Sequence, residues 1–284
     1  MIRQFIIYLL FILGGSNMIL AQSTQLDKEI FKSYLKAMHK IKPHSREDLI
    51  DETGKYFLGV PYVGKTLERE SEELVVNLHE FDCMTFVENV LALAKTYAAG
   101  TFSWSAFLDN LKFIRYRNGL IENFTSRLHY TSDWIYENER NGLIIDLTKA
   151  IGGVPLDMNV SFMSTYPENY VQLQTHPEYI SVMAEKEKEI NSRVYYYIPK
   201  EMIDKYTEQI HTGDIVCFVT SINGLDISHV GIIHKEGAQV TFIHASSTKK
   251  KVIINEESLQ DYVLSIKKNR GIIVLRPHIV FTPS

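Results

Sequence analysis

Three residues of this sequence, Cys83, His229 and His244, are of the types and in the settings that nucleophilic, covalent catalysis needs. Cys83 follows Asp82. From it Phe86, Val87, Val90, Leu91, Ala94, Tyr97 and Ala98 fall on one helical face, with Gly100 just past the end. Asp82 is therefore read as an N-cap and Cys83 as the first helical residue, where unpaired backbone N–H groups and the helix dipole favour an anion and lower a thiol pKa. Cys217, inside Ile215-Val216-Cys217-Phe218-Val219, has only apolar neighbours and reads as inert core. A disulfide between the two is the alternative for an exported pair, and their different settings argue against it.

His229 opens and His244 closes two β-branched runs, His229-Val230-Gly231-Ile232-Ile233-His234 and Gln239-Val240-Thr241-Phe242-Ile243-His244. If these are strands joined by a tight turn centred on Glu236-Gly237, His229 falls directly opposite His244, with Cβ atoms about 4.5–5.5 Å apart on one face. An odd loop length would place them on opposite faces. A lone strand histidine is more often a surface or satisfied core residue; two in this register beside a helix-start cysteine favour nucleophile, base and orienter in chain order.

The elements that must position these groups follow from periodicity. Lys28 to Lys40 and Arg46 to Phe57 read as two amphipathic helices, and Gly59, Pro61 and Gly64 break the pattern into a loop that carries Tyr62. Leu74 to Leu78 alternates. An aromatic helix is expected around Trp104 to Tyr116 and another segment over Arg127 to Gly142, but residues 103–198 yield no topology. After Pro199, runs at 214–220, 229–234, 240–244, 251–255 and 271–275 are spaced like an antiparallel sheet. Helices first and strands last make an α+β domain.

The 284 residues are 45% hydrophobic and 23% charged, which is ample for a buried core. A formal charge of -4 implies no basic field for nucleic acid, and two cysteines without clustered Cys/His spacing suggest neither a disulfide framework nor a structural metal. Arg3 followed by the apolar run Phe5 to Leu13 looks like an export signal, with cleavage after Ala21, although an uncleaved anchor is the competing reading. The expectation is residues 1–21 as signal and 22–284 as one domain, soluble outside the cytoplasm and without stable membrane association. Lys249-Lys250-Lys251 reads as a solvated turn.

Phe81-Asp82-Cys83 opening an apolar helix, Ser228-His229-Val230-Gly231-Ile232 after the Gly213-Asp214 strand start, and His244 on the next strand resemble the NlpC-type papain-like peptidoglycan hydrolases. That superfamily usually follows Asp-Cys with Ser-Gly, whereas Met84-Thr85-Phe86-Val87-Glu88 stand here. Pro61-Tyr62-Val63-Gly64-Lys65-Thr66-Leu67-Glu68, Leu74-Val75-Val76-Asn77-Leu78, Tyr130-Thr131-Ser132-Asp133-Trp134-Ile135, Asn159-Val160-Ser161-Phe162-Met163-Ser164 and Gly224-Leu225-Asp226-Ile227-Ser228-His229 resemble its N-acetylmuramoyl-L-alanine amidase-like branch.

That resemblance implies a papain-like fold with a family-specific insertion at about 103–198, and a periplasmic amidase that cuts between the lactyl group of N-acetylmuramic acid and L-alanine in small, anhydro-sugar muropeptides, with no cofactor. It implies Cys83 as nucleophile, His229 as base and later acid, His244 as orienter, and Tyr62 near the oxyanion. Tyr62 as a packing residue is the bland alternative. Trp134 is expected either to stack on a sugar or, more often for a tryptophan before Ile135 and Tyr136, to lie in the core. His79 has no role assigned. Two other functions compete: a γ-D-glutamyl-diamino acid endopeptidase with the same triad, disfavoured by the missing Ser-Gly, and a non-catalytic muropeptide-binding protein, which has no need of a thiol beside paired imidazoles. The irregular middle third, with Trp134 and Tyr166, is long enough to wall off a cleft suited to a soluble fragment.

Overall fold

A computed structural model describes residues 25–281, so the expected export signal lies outside the described residues. The chain opens with α1, helical over 25–41, and α2, Arg46–Tyr56, which Ser45 caps by accepting from the Asp48 N–H. α3, Cys83–Ala98, begins at the expected residue, and α4, Trp104–Arg115, follows it with Ser103 as N-cap. α5 covers Thr131–Arg140, shorter than the segment expected over 127–142. Leu74 to Leu78 alternates in sequence but joins no sheet; the Val75 carbonyl instead accepts from the buried Arg115 guanidinium at 2.6 Å.

The middle of the chain, opaque in sequence, supplies β1 (Ile144–Asp146), β2 (Val154–Leu156), three helices (α6, Phe162–Thr165; α7, Val171–Thr175; α8, Glu178–Asn191) and β3 (Tyr195–Pro199). Then come β4 (Ile215–Thr220), β5 (Ile227–Glu236), β6 (Gln239–Ser246), β7 (Lys251–Ile254), α9 (Leu259–Ser265) and β8 (Asn269–Pro277). The five expected late strands all form. With β1, β2 and β3 they make an eight-stranded antiparallel sheet in the order β2-β3-β8-β4-β5-β6-β7, with β1 also on β8, so the molecule is α+β on an antiparallel sheet.

β4 is buried at every position because the sheet is covered on both faces. Its odd residues, Ile215, Cys217 and Val219, join the cluster built with α2 to α5, while Val216 and Phe218 pack with Ile233, Phe242, Leu259 and Val263 on the α9 side. A period of two thus sorts β4 onto two cores. Among the described residues no helix is long and apolar enough to cross a membrane.

Candidate active site

Asp82 starts α3 through a capping box: its side chain accepts from Thr85 N–H at 2.8 Å while Thr85 Oγ1 accepts from Asp82 N–H at 2.9 Å. This holds Cys83 at the first helical position with part of its surface open to solvent. The backbone N–H groups of Cys83, Met84 and Val230 point at its sulfur and favour a thiolate, but burial and the Asp82 carboxylate outweigh them and push the thiol up to about 12. The expected depression of the Cys83 pKa is therefore corrected: the residue that makes the cap also brings a negative charge, and packing against β5 removes water.

The histidine register is also corrected. Glu236 pairs with Gln239 and Ile232 with Ile243, so the turn centres on Gly237-Ala238, one residue later than expected. Gly237 takes φ +60 at the first central position, as a type II′ turn demands. The ladder would place His244 opposite Gly231, diagonal to His229. Because the offset along β5 is two residues, both histidines stay on one face, and His229 Nε2 lies 2.6 Å from His244 Nδ1.

The β5–β6 ladder stops at Ile232–Ile243, and just beyond it on β5 the Val230 N–H reaches Cys83. Gly231 makes room there: a Cβ on it would lie 2.8 Å from Phe242 Cδ2 and 3.0 Å from the Ile243 carbonyl oxygen. His229 stacks on Phe218, its β4 partner, at 5.6 Å between centroids, and His244 lies tilted against Phe242 and edge-on to Tyr262. Burial holds both imidazoles low, His229 at about 4 and His244 at about 3, the latter also opposed by the charged form of His229. At neutral pH the cysteine and both histidines are uncharged. His244 Nε2 is buried without a hydrogen-bond partner.

Tyr62 is half-buried; its backbone bridges to Phe81, two residues before Cys83, and its phenol is pushed up by burial and by the neighbouring Cys83 and Asp82. Tyr262, which the sequence did not single out, also sits close enough to Cys83 for the sulfur's charge to raise its pKa, after the larger effect of burial. No periodic or motif signal marked it, since it lies on a short helix remote in sequence. Trp134 is 1% exposed and packed in the core, so it offers no face to a sugar, and its expected stacking role is withdrawn in favour of the core alternative. His79 bonds Asp27 at 3.0 Å and ties α1 to the loop before α3. Cys217 is fully buried and both cysteines are free thiols. Lys249, Lys250 and Lys251 are exposed.

Three separated sequence segments meet beside the nucleophile. Ser132 N–H donates to Asp226 Oδ2 at 2.7 Å, and the N–H groups of Ser161 and Phe162 both reach the Gly224 carbonyl at 3.1 Å. They enclose a cavity of about 270 Å³ against the start of α3, lined among others by Asp82, Met84, Arg127, Tyr130, Met163 and Asp226. Below it Arg115 Nε donates to Glu88 Oε2 at 2.6 Å, both fully buried. A second cavity of about 320 Å³ lies behind His244, bounded by Tyr262, Asn255 and Lys249. Among the described residues, no three His, Cys, Asp or Glu converge as metal ligands.

With this geometry in hand, the chain can be set beside known proteins. Residues 52–272 match the family described as N-acetylmuramoyl-L-alanine amidase-like. The chain is 39% identical to a crystal structure of an N-acetylmuramoyl-L-alanine amidase from Bacteroides uniformis, with a TM-score of 0.79 over 82% of this chain and 99% of that one. A putative xylanase from Bacteroides fragilis is 38% identical, with a TM-score of 0.76 over 79% and 99%. A Legionella pneumophila protein at 24% identity shares the fold, with a TM-score of 0.67 over 92% and 100%. No curated protein matches the chain.

Proposed function

The chain belongs to the N-acetylmuramoyl-L-alanine amidase-like family, and from that membership we propose that it is an exported, periplasmic, cysteine-dependent amidase of papain-like fold. Its substrate is a small muropeptide carrying the anhydro sugar, cut between the lactyl group and L-alanine. One domain with an insertion at about 103–198 carries the activity, and Cys83, His229 and His244 perform it. The observation that supports this most is the 2.6 Å contact of His229 Nε2 with His244 Nδ1 on the strand whose Val230 N–H meets the Cys83 sulfur.

The chemistry follows from protonation. For His229 to act as base, its Nδ1 must be bare, so its proton sits on Nε2 and is donated to His244 Nδ1; His244 then carries its own proton on Nε2. A thiol near 12 beside an imidazole near 4 rests as a neutral pair, so proton transfer accompanies attack instead of preceding it. The Cys83 sulfur bonds the lactyl carbonyl carbon as its proton moves to His229 Nδ1. The resulting imidazolium is steadied by a charge-assisted bond to His244. Backbone N–H groups at the start of α3, with Tyr62, favour the oxyanion.

Collapse breaks the C–N bond, and His229 returns its proton to the L-alanine amine, leaving a thioester. Water, losing a proton to His229, then releases the sugar acid and restores the thiol. The walled cavity beside α3 suits a soluble fragment better than a cross-linked polymer.

Mass spectrometry of products from a defined disaccharide-peptide tests this. Sugar acid plus an intact peptide with free L-alanine is expected, and none from the Cys83→Ala variant. A shortened peptide would favour the endopeptidase reading, and binding without any turnover the non-catalytic one.

A further inference from the structure

At the two histidines β5 and β6 part. Ile232–Ile243 is their last ladder pair, yet β4 still holds His229 opposite Phe218 and β7 still holds His244 opposite Ile253. The gap lets the Val230 N–H turn away from the ladder and reach the Cys83 sulfur. It also means that no backbone bond between these strands fixes one imidazole against the other. Side chains must hold the 2.6 Å contact between them.

Behind the pair stands a cluster of aromatic rings. Phe218 stacks on His229, Phe242 lies 4.6 Å from His244 between centroids, and the two phenylalanines are 5.1 Å apart. Tyr262 closes the cluster. Its ring meets Phe242 at 4.9 Å, Phe218 at 5.3 Å and His244 at 6.0 Å, each time edge to face. Such contacts set the tilt of a ring as well as its distance, because the positive edge of one ring seeks the negative face of the other. One side chain therefore touches the ring behind each histidine and His244 itself.

α9 carries Tyr262 on firm footing. Leu259 and Val263, one turn apart, are buried; Ser258 caps the helix by accepting from the Asp261 N–H at 3.1 Å, and Gln260 clasps Asp204 through bonds of 2.8 and 3.0 Å. Tyr262 and His244 line the same cavity of about 320 Å³, so a shorter residue at 262 would extend that cavity toward the His229–His244 bond. The charged groups around it are Lys249, Glu256 and Glu257, with Asp82 and Cys83 on the α3 side. A hydrogen bond is electrostatically stronger in a dry, low-dielectric setting than in water.

We infer that Tyr262 is a positioning residue of the catalytic centre: its ring holds the two imidazoles at hydrogen-bonding distance across the gap between β5 and β6 and keeps water from their bond. The catalytic consequence rests on the proposed amidase function; the pairing of the imidazoles does not. Every contact named is made by the ring, so phenylalanine can take its place.

Proton–nitrogen correlation spectra of isotope-labelled histidines follow both imidazoles without any substrate, with signals assigned through His229→Gln and His244→Gln. In the wild type His229 is expected to titrate near pH 4. Tyr262→Ala should raise that midpoint by about one unit or more, toward the value of an exposed histidine, as water enters. On a disaccharide-peptide it should also lower kcat/KM about 100-fold per folded molecule, the effect of a base displaced by about 1 Å. Tyr262→Leu, which keeps apolar volume without a flat ring, should change both in the same direction and serves if the alanine variant does not fold. Tyr262→Phe should match the wild type within about twofold. Val263→Ala is the structural control: it empties buried volume on the same helix and should lower Tm while leaving the midpoint and kcat/KM in place.

A wild-type midpoint in Tyr262→Ala or Tyr262→Leu, a loss in Tyr262→Phe as large as in Tyr262→Ala, or an equal rise of the midpoint in Val263→Ala would overturn the inference. If the wild type turns over no muropeptide, the proposed function fails, while the titrations still decide whether Tyr262 holds the pair.

Discussion

Replacing Gly231 by alanine should separate the two histidines without removing any catalytic side chain. The added Cβ would lie 2.8 Å from Phe242 Cδ2, 3.0 Å from the Ile243 carbonyl oxygen and 3.4 Å from His244 Cβ. Ordinary carbon contact needs about 3.5 Å or more, so β5 and β6 must part by roughly 0.7 Å. Phe242 is fully buried and cannot swing away, so the backbone carries the shift. The His229–His244 contact is 2.6 Å; opened by that amount it leaves the range of a good hydrogen bond. Overpacking of this kind costs about 1–3 kcal/mol, at roughly 2–4 °C of Tm for each kcal/mol in a chain of this size. Misplacing the base by nearly 1 Å should lower kcat/KM about 100-fold. Scanning calorimetry and turnover per folded molecule measure the two effects. Gly100→Ala is the control: at φ +66 with nothing within 4 Å of its Cβ, it should lose about 1 kcal/mol of stability and no activity. Wild-type kcat/KM and Tm in Gly231→Ala would refute the reasoning.

Turnover should persist well below pH 6.5 and fall only as His229 protonates near pH 4, provided circular dichroism shows the fold intact; an inflection near 6.5 would contradict the burial of that imidazole. Stability should already fall between about pH 6.5 and 4, since unfolded histidines take up protons below about 6.5 that the folded ones refuse until about 4, so the unfolded state binds more protons as pH drops; urea titrations at pH 7 and 5 measure it. Iodoacetamide should label Cys83 before Cys217 and faster with rising pH, as mass mapping would show, whereas Cys217→Ser should keep turnover per folded molecule and lose about 1–3 kcal/mol for a hydroxyl buried without provision. Arg115→Ala, which leaves the buried Glu88 carboxylate unpaired, should cost about 3–5 kcal/mol in chemical denaturation.

Some of this site was legible before any coordinates. The Asp82 cap, the helix from Cys83 and the five late strands follow from local periodicity and capping, which depend on neighbours a few residues away. That the two histidines share a face was legible too, because the strand period is two and the turn loop is even in length. Gly237-Ala238 in place of Glu236-Gly237 moved the partners by two positions along β5 without changing face. What escaped the sequence depends on what packs from far along the chain. Proximity to the helix start predicts a lowered Cys83 thiol; the direction reversed because β5 covers the sulfur and Asp82, needed for the cap, faces it with charge. Trp134 sits on a helix whose surroundings no local pattern describes, and the fold buried it. The meeting of Ser132 with Asp226 and of Ser161 with Gly224 spans contacts 94 and 63 residues apart, and Tyr262 reaches His244 only because α9 crosses that face of the sheet. Local sequence determined which groups are present and which way each element presents them. Desolvation and long-range packing, which sum over the whole surrounding shell, decided their protonation, their partners and the cavities beside them.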